Sequence, residues 1–192
     1  YLFEIPFQVS FQDTLRVGDT IWIHSQIPHT LEDLNSGEPT EVDTFDFLTE
    51  FYLIEFQPSY NGAVSEGFSF FEKEGNLNTL NLSGGSYYRL NFEPGQTSSV
   101  CEFAIIPERT GSFTGGFISY YHQDVSVGQD FFDRRVDFSE SDCEEFVFLK
   151  YQTNEGSDNN FQLILENEIA FNRTITEEGF HASGGFAFVV TE

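Results

Sequence analysis

Carboxylates are the most abundant reactive groups in this chain: 32 Asp and Glu against eight Lys and Arg in 192 residues. Two carboxyls flanking a scissile bond can hydrolyse a glycoside, and Glu32-Asp33 and Glu144-Glu145 are adjacent pairs. A chain this acidic produces such pairs by composition, and a two-acid site is defined by geometry, not by sequence spacing. A glycoside hydrolase-like enzyme therefore stays only as an alternative, and no catalytic residue is assigned. The histidines His24, His29, His122 and His181 contain no i, i+4 pair, and neither cysteine sits in a CxxC motif. No zinc site is expected. Calcium suits an acidic surface better, because hard cations gather carboxylate and carbonyl oxygens. Residues 32–46 and 154–160 are the loops for a structural calcium ion, although neither has the D-x-[DN]-x-[DN]-G spacing. The expectation is no cofactor, with structural calcium as the exception to test.

Aromatic side chains offer a second chemistry, because a ring with one free face can stack on a ligand such as a sugar. Trp22, Tyr87 and Tyr120 are the candidates. Trp22 faces away from Ile21 and Ile23, and Tyr87 away from Tyr88. Packing in the core or at its rim is the competing account. Cys101 and Cys143 are the two cysteines. A disulfide between them would close a loop of about 40 residues and stabilise the fold by roughly 3–4 kcal/mol; two buried thiols are the alternative. The chain begins at Tyr1 and contains no Met, which predicts a removed leader such as a signal peptide. Together these features predict an oxidising, extracytoplasmic location.

The elements that must position these residues read as strands. Phe3, Ile5, Phe7, Val9 and Phe11 alternate with Glu4, Gln8, Ser10 and Gln12, the period of a half-buried strand. Pro6 lacks an N–H, which predicts an edge position or a bulge. A turn at residues 16–19 precedes a strand at 20–24. Residues 45–56 form a long strand that becomes apolar on both faces, as a central strand does. Cys101, Phe103 and Ile105 share a face, so Cys101 points inward. Residues 112–121, 146–151 and 185–190 are further strands. Residues 161–168 fit a short helix or a strand equally well. The pairs Gly84-Gly85, Gly115-Gly116 and Gly184-Gly185 read as turns or bulges. Turns recur every 8–15 residues, and 24 Phe can fill the space between two sheets. The predicted fold is all-β, an Ig-like antiparallel β-sandwich in a single domain. Residues 1–122 form its body, 123–182 a C-terminal elaboration or insertion, and 183–192 the final strand. A two-domain split near 122 is the alternative.

The formal charge of -24 excludes nucleic acid and anionic headgroups as partners, since both attract basic surfaces. The segments Tyr1-Leu2-Phe3-Glu4-Ile5-Pro6, Leu15 to Pro28 around Val17-Gly18-Asp19-Thr20-Ile21-Trp22-Ile23, and Phe103 to Phe113 resemble uncharacterised extracytoplasmic lipoproteins of the Bacteroidota with Ig-like sandwiches. The closing Gly185-Phe186-Ala187-Phe188-Val189-Val190 fits their last strand. This resemblance implies a lipid anchor outside the sequence, attached to a cysteine upstream of Tyr1. It also implies O-glycosylation at Thr14 and Thr20, in Asp13-Thr14-Leu15 and Asp19-Thr20-Ile21. The function expected is a non-enzymatic, surface-exposed lipoprotein or secreted subunit. It would act as a structural or protein-interaction module, with protein subunits of an outer-membrane or cell-surface assembly as partners. A carbohydrate-binding module is the first alternative.

Overall fold

A computed structural model describes residues 1–10, 13–43, 47, 49–56, 64–80, 86–119, 135–136, 145–156, 159–166 and 177–192. In chain order its strands are β1 (Leu2–Val9), β2 (Thr14–Arg16), β3 (Ile21–Pro28), β4 (Thr30–Glu32), β5 (Pro39–Glu41), β6 (Thr49–Glu55), β7 (Phe68–Glu74), β8 (Asn76–Leu80) and β9 (Ser86–Asn91). There follow β10 (Glu93–Pro94), β11 (Ser98–Pro107), β12 (Gly111–Ser119), β13 (Arg135–Val136), β14 (Glu145–Phe146), β15 (Phe148–Thr153) and β16 (Phe186–Thr191). Two short helices, α1 (Phe161–Glu166) and α2 (Glu177–Ala182), lie between β15 and β16.

The fold is an all-β sandwich. The first sheet runs β10-β11-β3-β1-β15, with β7 also paired to β11; the second runs β2-β16-β12-β6-β9-β8. The alternation in β1 is realised: Phe3, Ile5, Phe7 and Val9 are buried, while Pro6 and Gln8 are exposed. Phe rings from both sheets interlock in the core. Phe7 of β1 stacks on Phe117 of β12 at 3.6 Å between centroids. Phe51 of β6 lies 5.4 Å from Phe103, 5.7 Å from Phe117 and 6.3 Å from Phe186. Phe68 of β7 meets Phe113 edge-on at 4.9 Å. At one end of this layer Arg109 grips the buried Glu55 with two hydrogen bonds of 2.7 and 2.8 Å, the bidentate geometry that makes such pairs strong.

The expected antiparallel sandwich also carries two parallel pairs. β1 pairs with β15 in parallel from Leu2↔Phe148 to Phe7↔Thr153, and β2 pairs with β16 in parallel. Parallel neighbours need a long crossover. Here each pair joins an early strand to a late one, so the intervening fold is the crossover. Consequently β15, which lies within 123–182, is a strand of the sandwich itself, and the body draws on residues beyond 122. Pro6 is not at a sheet edge, because β1 lies between β3 and β15. Its missing N–H is tolerated because the β1–β3 ladder is registered only at Gln8↔His24 and Val9↔Ile23. Beyond that point the Ser25 hydroxyl donates to the Pro6 carbonyl at 2.8 Å.

Gly115 and Gly116 are likewise not in a turn; both lie inside β12. A Cβ at Gly115 would stand 2.7 Å from the Phe186 ring, and one at Gly116 would stand 2.5 Å from the Tyr52 hydroxyl. The glycines make room for aromatic neighbours. Residues 161–166 resolve as helix: Phe161 and Ile164, one turn apart, are buried with Phe56, Phe180 and Ala187 on the outer side of the second sheet. The helix α2 was not foreseen. It ends in a Schellman cap, with Gly184 N–H donating to the His181 carbonyl and Gly185 N–H to that of Phe180. Gly184 at φ 56° supplies the left-handed residue this cap requires. Among the described residues no helix is long and apolar enough to cross a membrane.

Phe51→Ala removes a ring packed against Tyr88, Phe103, Phe117 and Phe186. It is expected to destabilise the protein by about 3–5 kcal/mol, read as a lowered midpoint of urea unfolding.

Candidate functional site

The outer face of the first sheet is built by the residues that alternate with the core. On β3 these are Trp22 and His24, because Ile21 and Ile23 point inward. Across the ladder Ala104 of β11 sits opposite both Trp22 and Phe71 of β7. Its small side chain is buried, and the two large rings meet above it edge to face at 6.0 Å. Phe71 is nevertheless 54% exposed. Lys73 places its ammonium 5.8 Å from the indole centroid. It also donates to Glu102 Oε1 at 2.7 Å, and the other oxygen of Glu102 lies 3.7 Å from His24 Nδ1. Further along the same sheet Lys150 pairs with Glu4 at 2.8 Å.

On the β1 side of Trp22 an open groove of about 440 Å³ is lined by Gln8, Val9, Ser10, Trp22, His24, Asn154 and Glu155. Its far wall is the 3-10 turn Asn154–Gly156 that follows β15. Asn154, Glu155 and Gly156 all have positive φ, at 51°, 57° and 77°. Asn accepts this conformation readily and Gly freely, but for Glu it costs about 1–2 kcal/mol. The turn is held by Asn154, which accepts from Val9 N–H at 2.8 Å and donates to the Val9 carbonyl at 3.1 Å. Ser10 Oγ accepts the Trp22 backbone N–H at 2.8 Å.

The predicted aromatic residues do not converge. Trp22 lies on the outer face of the first sheet. Tyr87 lies on the outer face of the second, paired with Tyr52 at 6.5 Å between centroids. The two are on opposite sides of the sandwich because each alternates with inward core residues. Tyr120 is outside the described residues. Cys101 is a free thiol buried in the core, and its predicted partner Cys143 is outside the described residues. Burial, with a smaller contribution from the charge of Glu72, pushes the Cys101 thiol up to about 12. Thr14 and Thr20 are exposed.

The acidic pair Glu32-Asp33 serves structure. Asp33 is buried and accepts from Leu2 N–H at 2.8 Å, Ser36 hydroxyl at 2.7 Å and Asn35 N–H at 3.2 Å. The Leu2 bond first, then that of Ser36, holds its carboxyl down at about 2. A glycosidase acid needs the opposite, a raised pKa. Glu144 is outside the described residues. Among the described residues no three His, Cys, Asp or Glu side chains gather as metal ligands. Sequence reasoning marked Trp22 but missed Gln8, Ser10 and Glu155 as its neighbours. The missing information was the pairing of β1 with β3, which brings Gln8 and Ser10, and with β15, which brings Glu155; no local pattern carries either.

No protein-family model matches the chain, and no curated protein matches it. Among solved structures it is similar to the type II cohesin dyad from the adaptor ScaA scaffoldin of Acetivibrio cellulolyticus, at 13% identity and a TM-score of 0.27. That likeness covers 65% of this chain and 39% of the other. The sandwich assignment rests on the strand ladders themselves.

Two measurements follow from these environments. Asp33 titrates lower in the folded chain than unfolded, so its contribution to stability is complete above about pH 4 and is lost as pH falls toward about 2. Asp33→Asn should therefore lower the melting temperature at neutral pH, with the difference from wild type shrinking across that window. Cys101 should ignore a thiol reagent at pH 8 in the native chain and react once the chain is unfolded. An unfolded, unreduced chain with no reactive thiol would mark the Cys101–Cys143 bond instead.

Proposed function

We propose that this chain is a non-enzymatic protein-interaction module, a surface-exposed lipoprotein or secreted subunit of a cell-surface assembly, and that it docks through the outer face of its first sheet. The observation that carries this reading is Phe71, a large ring left 54% exposed beside Trp22 and bordered by Lys73, Glu102 and His24. Aromatic anchors inside a charged rim are what protein interfaces concentrate at their centres. The opposite outer face is partly occupied, since α1 and α2 bury Phe161, Ile164 and Phe180 against it.

Charge narrows the partner. At -24 overall, the chain favours a neutral or basic protein surface and disfavours polyanions. The lipid anchor outside this sequence and the outer-membrane setting rest on the sequence resemblance. Thr14 and Thr20 are accessible for the O-glycans it implies.

A photocrosslinker at Phe71, introduced in the native cell, should yield one discrete protein adduct, and the same probe at Tyr87 should not. Phe71→Ala should weaken the purified complex by about thirtyfold, the effect of losing a hot-spot side chain. A chain that stays a free monomer in crosslinking and native electrophoresis overturns the reading.

A further inference from the structure

We propose that the groove between Trp22 and the Asn154–Gly156 turn is a binding site for one ring of a neutral carbohydrate. The groove shares Trp22 and His24 with the docking face but lies on the other side of the indole from Phe71. Phe71 and Lys73 reach Trp22 from β7, on the far side of β11, whereas the groove lies on the β1 side of β3. The indole therefore has one flank against Lys73 and another toward Gln8 and Ser10.

The lining suits a sugar. A pyranose presents an apolar C–H face and a rim of hydroxyls that both donate and accept. The indole supplies the stacking surface. Gln8 supplies an amide, Glu155 a carboxylate and His24 an imidazole. Gln8 and Glu155 are exposed, and their side chains make no hydrogen bond among the described residues. Asn154 and Ser10 are committed to the backbone of Val9 and Trp22, so they shape the wall and leave recognition to Gln8, His24 and Glu155. The carboxylate, set in a chain of -24, selects against sulfated or uronate sugars by like-charge repulsion.

Strain points to the same wall. Glu155 is held at φ 57°, ψ 31° between two other positive-φ residues. Such residues persist where the surroundings over-determine them and cluster at ligand clamps. Here the reciprocal Asn154–Val9 bonds do the holding. A glycine at 155 would give the same turn without strain, yet the chain places Glu155 in the lining of the groove.

Trp22 is the single Trp of the chain, so its fluorescence reports the groove directly. The full chain is titrated with a panel of neutral mono- and oligosaccharides and with sulfated and uronate counterparts. A saturable change in Trp22 emission is expected with at least one neutral sugar. Gln8→Ala should weaken that binding about tenfold, as loss of one ligand hydrogen bond does. Glu155→Gly should weaken it as well while raising the melting temperature, a combination that misfolding cannot produce. The proposal is overturned by an unchanged emission across the neutral panel, by a preference for the anionic sugars, or by neutral-sugar binding that both variants retain in full. Phe71 is unaltered throughout, so failure here leaves the protein-docking reading standing.

Discussion

Everything else in this molecule hangs on the contact between two layers of phenylalanine. Neither sheet can bury its inner face alone, and the rings of Phe7, Phe68 and Phe103 find theirs on Phe51, Phe113 and Phe117 across the gap. Rings of one size set one spacing, and close packing leaves each ring few alternatives. That rigidity fixes the register of every strand. A strand slipped by one residue would send its Phe into water and its acids into the core. The outward residues, Trp22, His24, Gln8 and Phe71 among them, are therefore placed by the same constraint that buries the Phe.

The second constraint is closure of the chain on itself. Strand β1 leads the sequence and β15 comes late, yet they are parallel neighbours. Polar contacts hold both ends of β1. Asp33 takes the Leu2 N–H at one end, and Asn154 brackets Val9 at the other. Each buries a polar group only with its hydrogen bonds made, as burial demands. The groove wall at Asn154–Gly156 exists because of this closure; without β15 beside β1, that wall would be absent.

How much of this was legible follows from the range of each signal. Alternation in β1 and the inward turn of Cys101 with Phe103 and Ile105 depend on neighbours two residues apart, and the sequence displays them. Partner choice does not show, because nothing local tells residues 2–7 to seek residues 148–153. Pro6 illustrates the gap. Its chemistry was read correctly as incompatible with a full ladder, but its place was not, since a ladder can stop short inside a sheet as well as at its edge. Gly115-Gly116 reads by its type as a turn or bulge, whereas its reason is the bulk of Phe186 and Tyr52 nearby. The candidate site was half visible: Trp22 could be seen to point outward, but the residues around it arrive from three separate strands and a turn.

The acidity of the surface and the openness of the first sheet's outer face belong together. A broad, flat sheet face with exposed aromatic rings invites self-association. Two devices oppose it here. Lys73–Glu102 and Lys150–Glu4 place fixed charge directly on the face, so a second copy would have to desolvate ions to reach Phe71. A net charge of -24 adds repulsion between copies at long range. Neither device blocks an unlike partner that brings neutral or basic groups. Exposed aromatics guarded in this way are tolerable in isolation and usable in recognition. Strain at Glu155 and exposure at Phe71, two local departures from the stablest arrangement, flank the same indole.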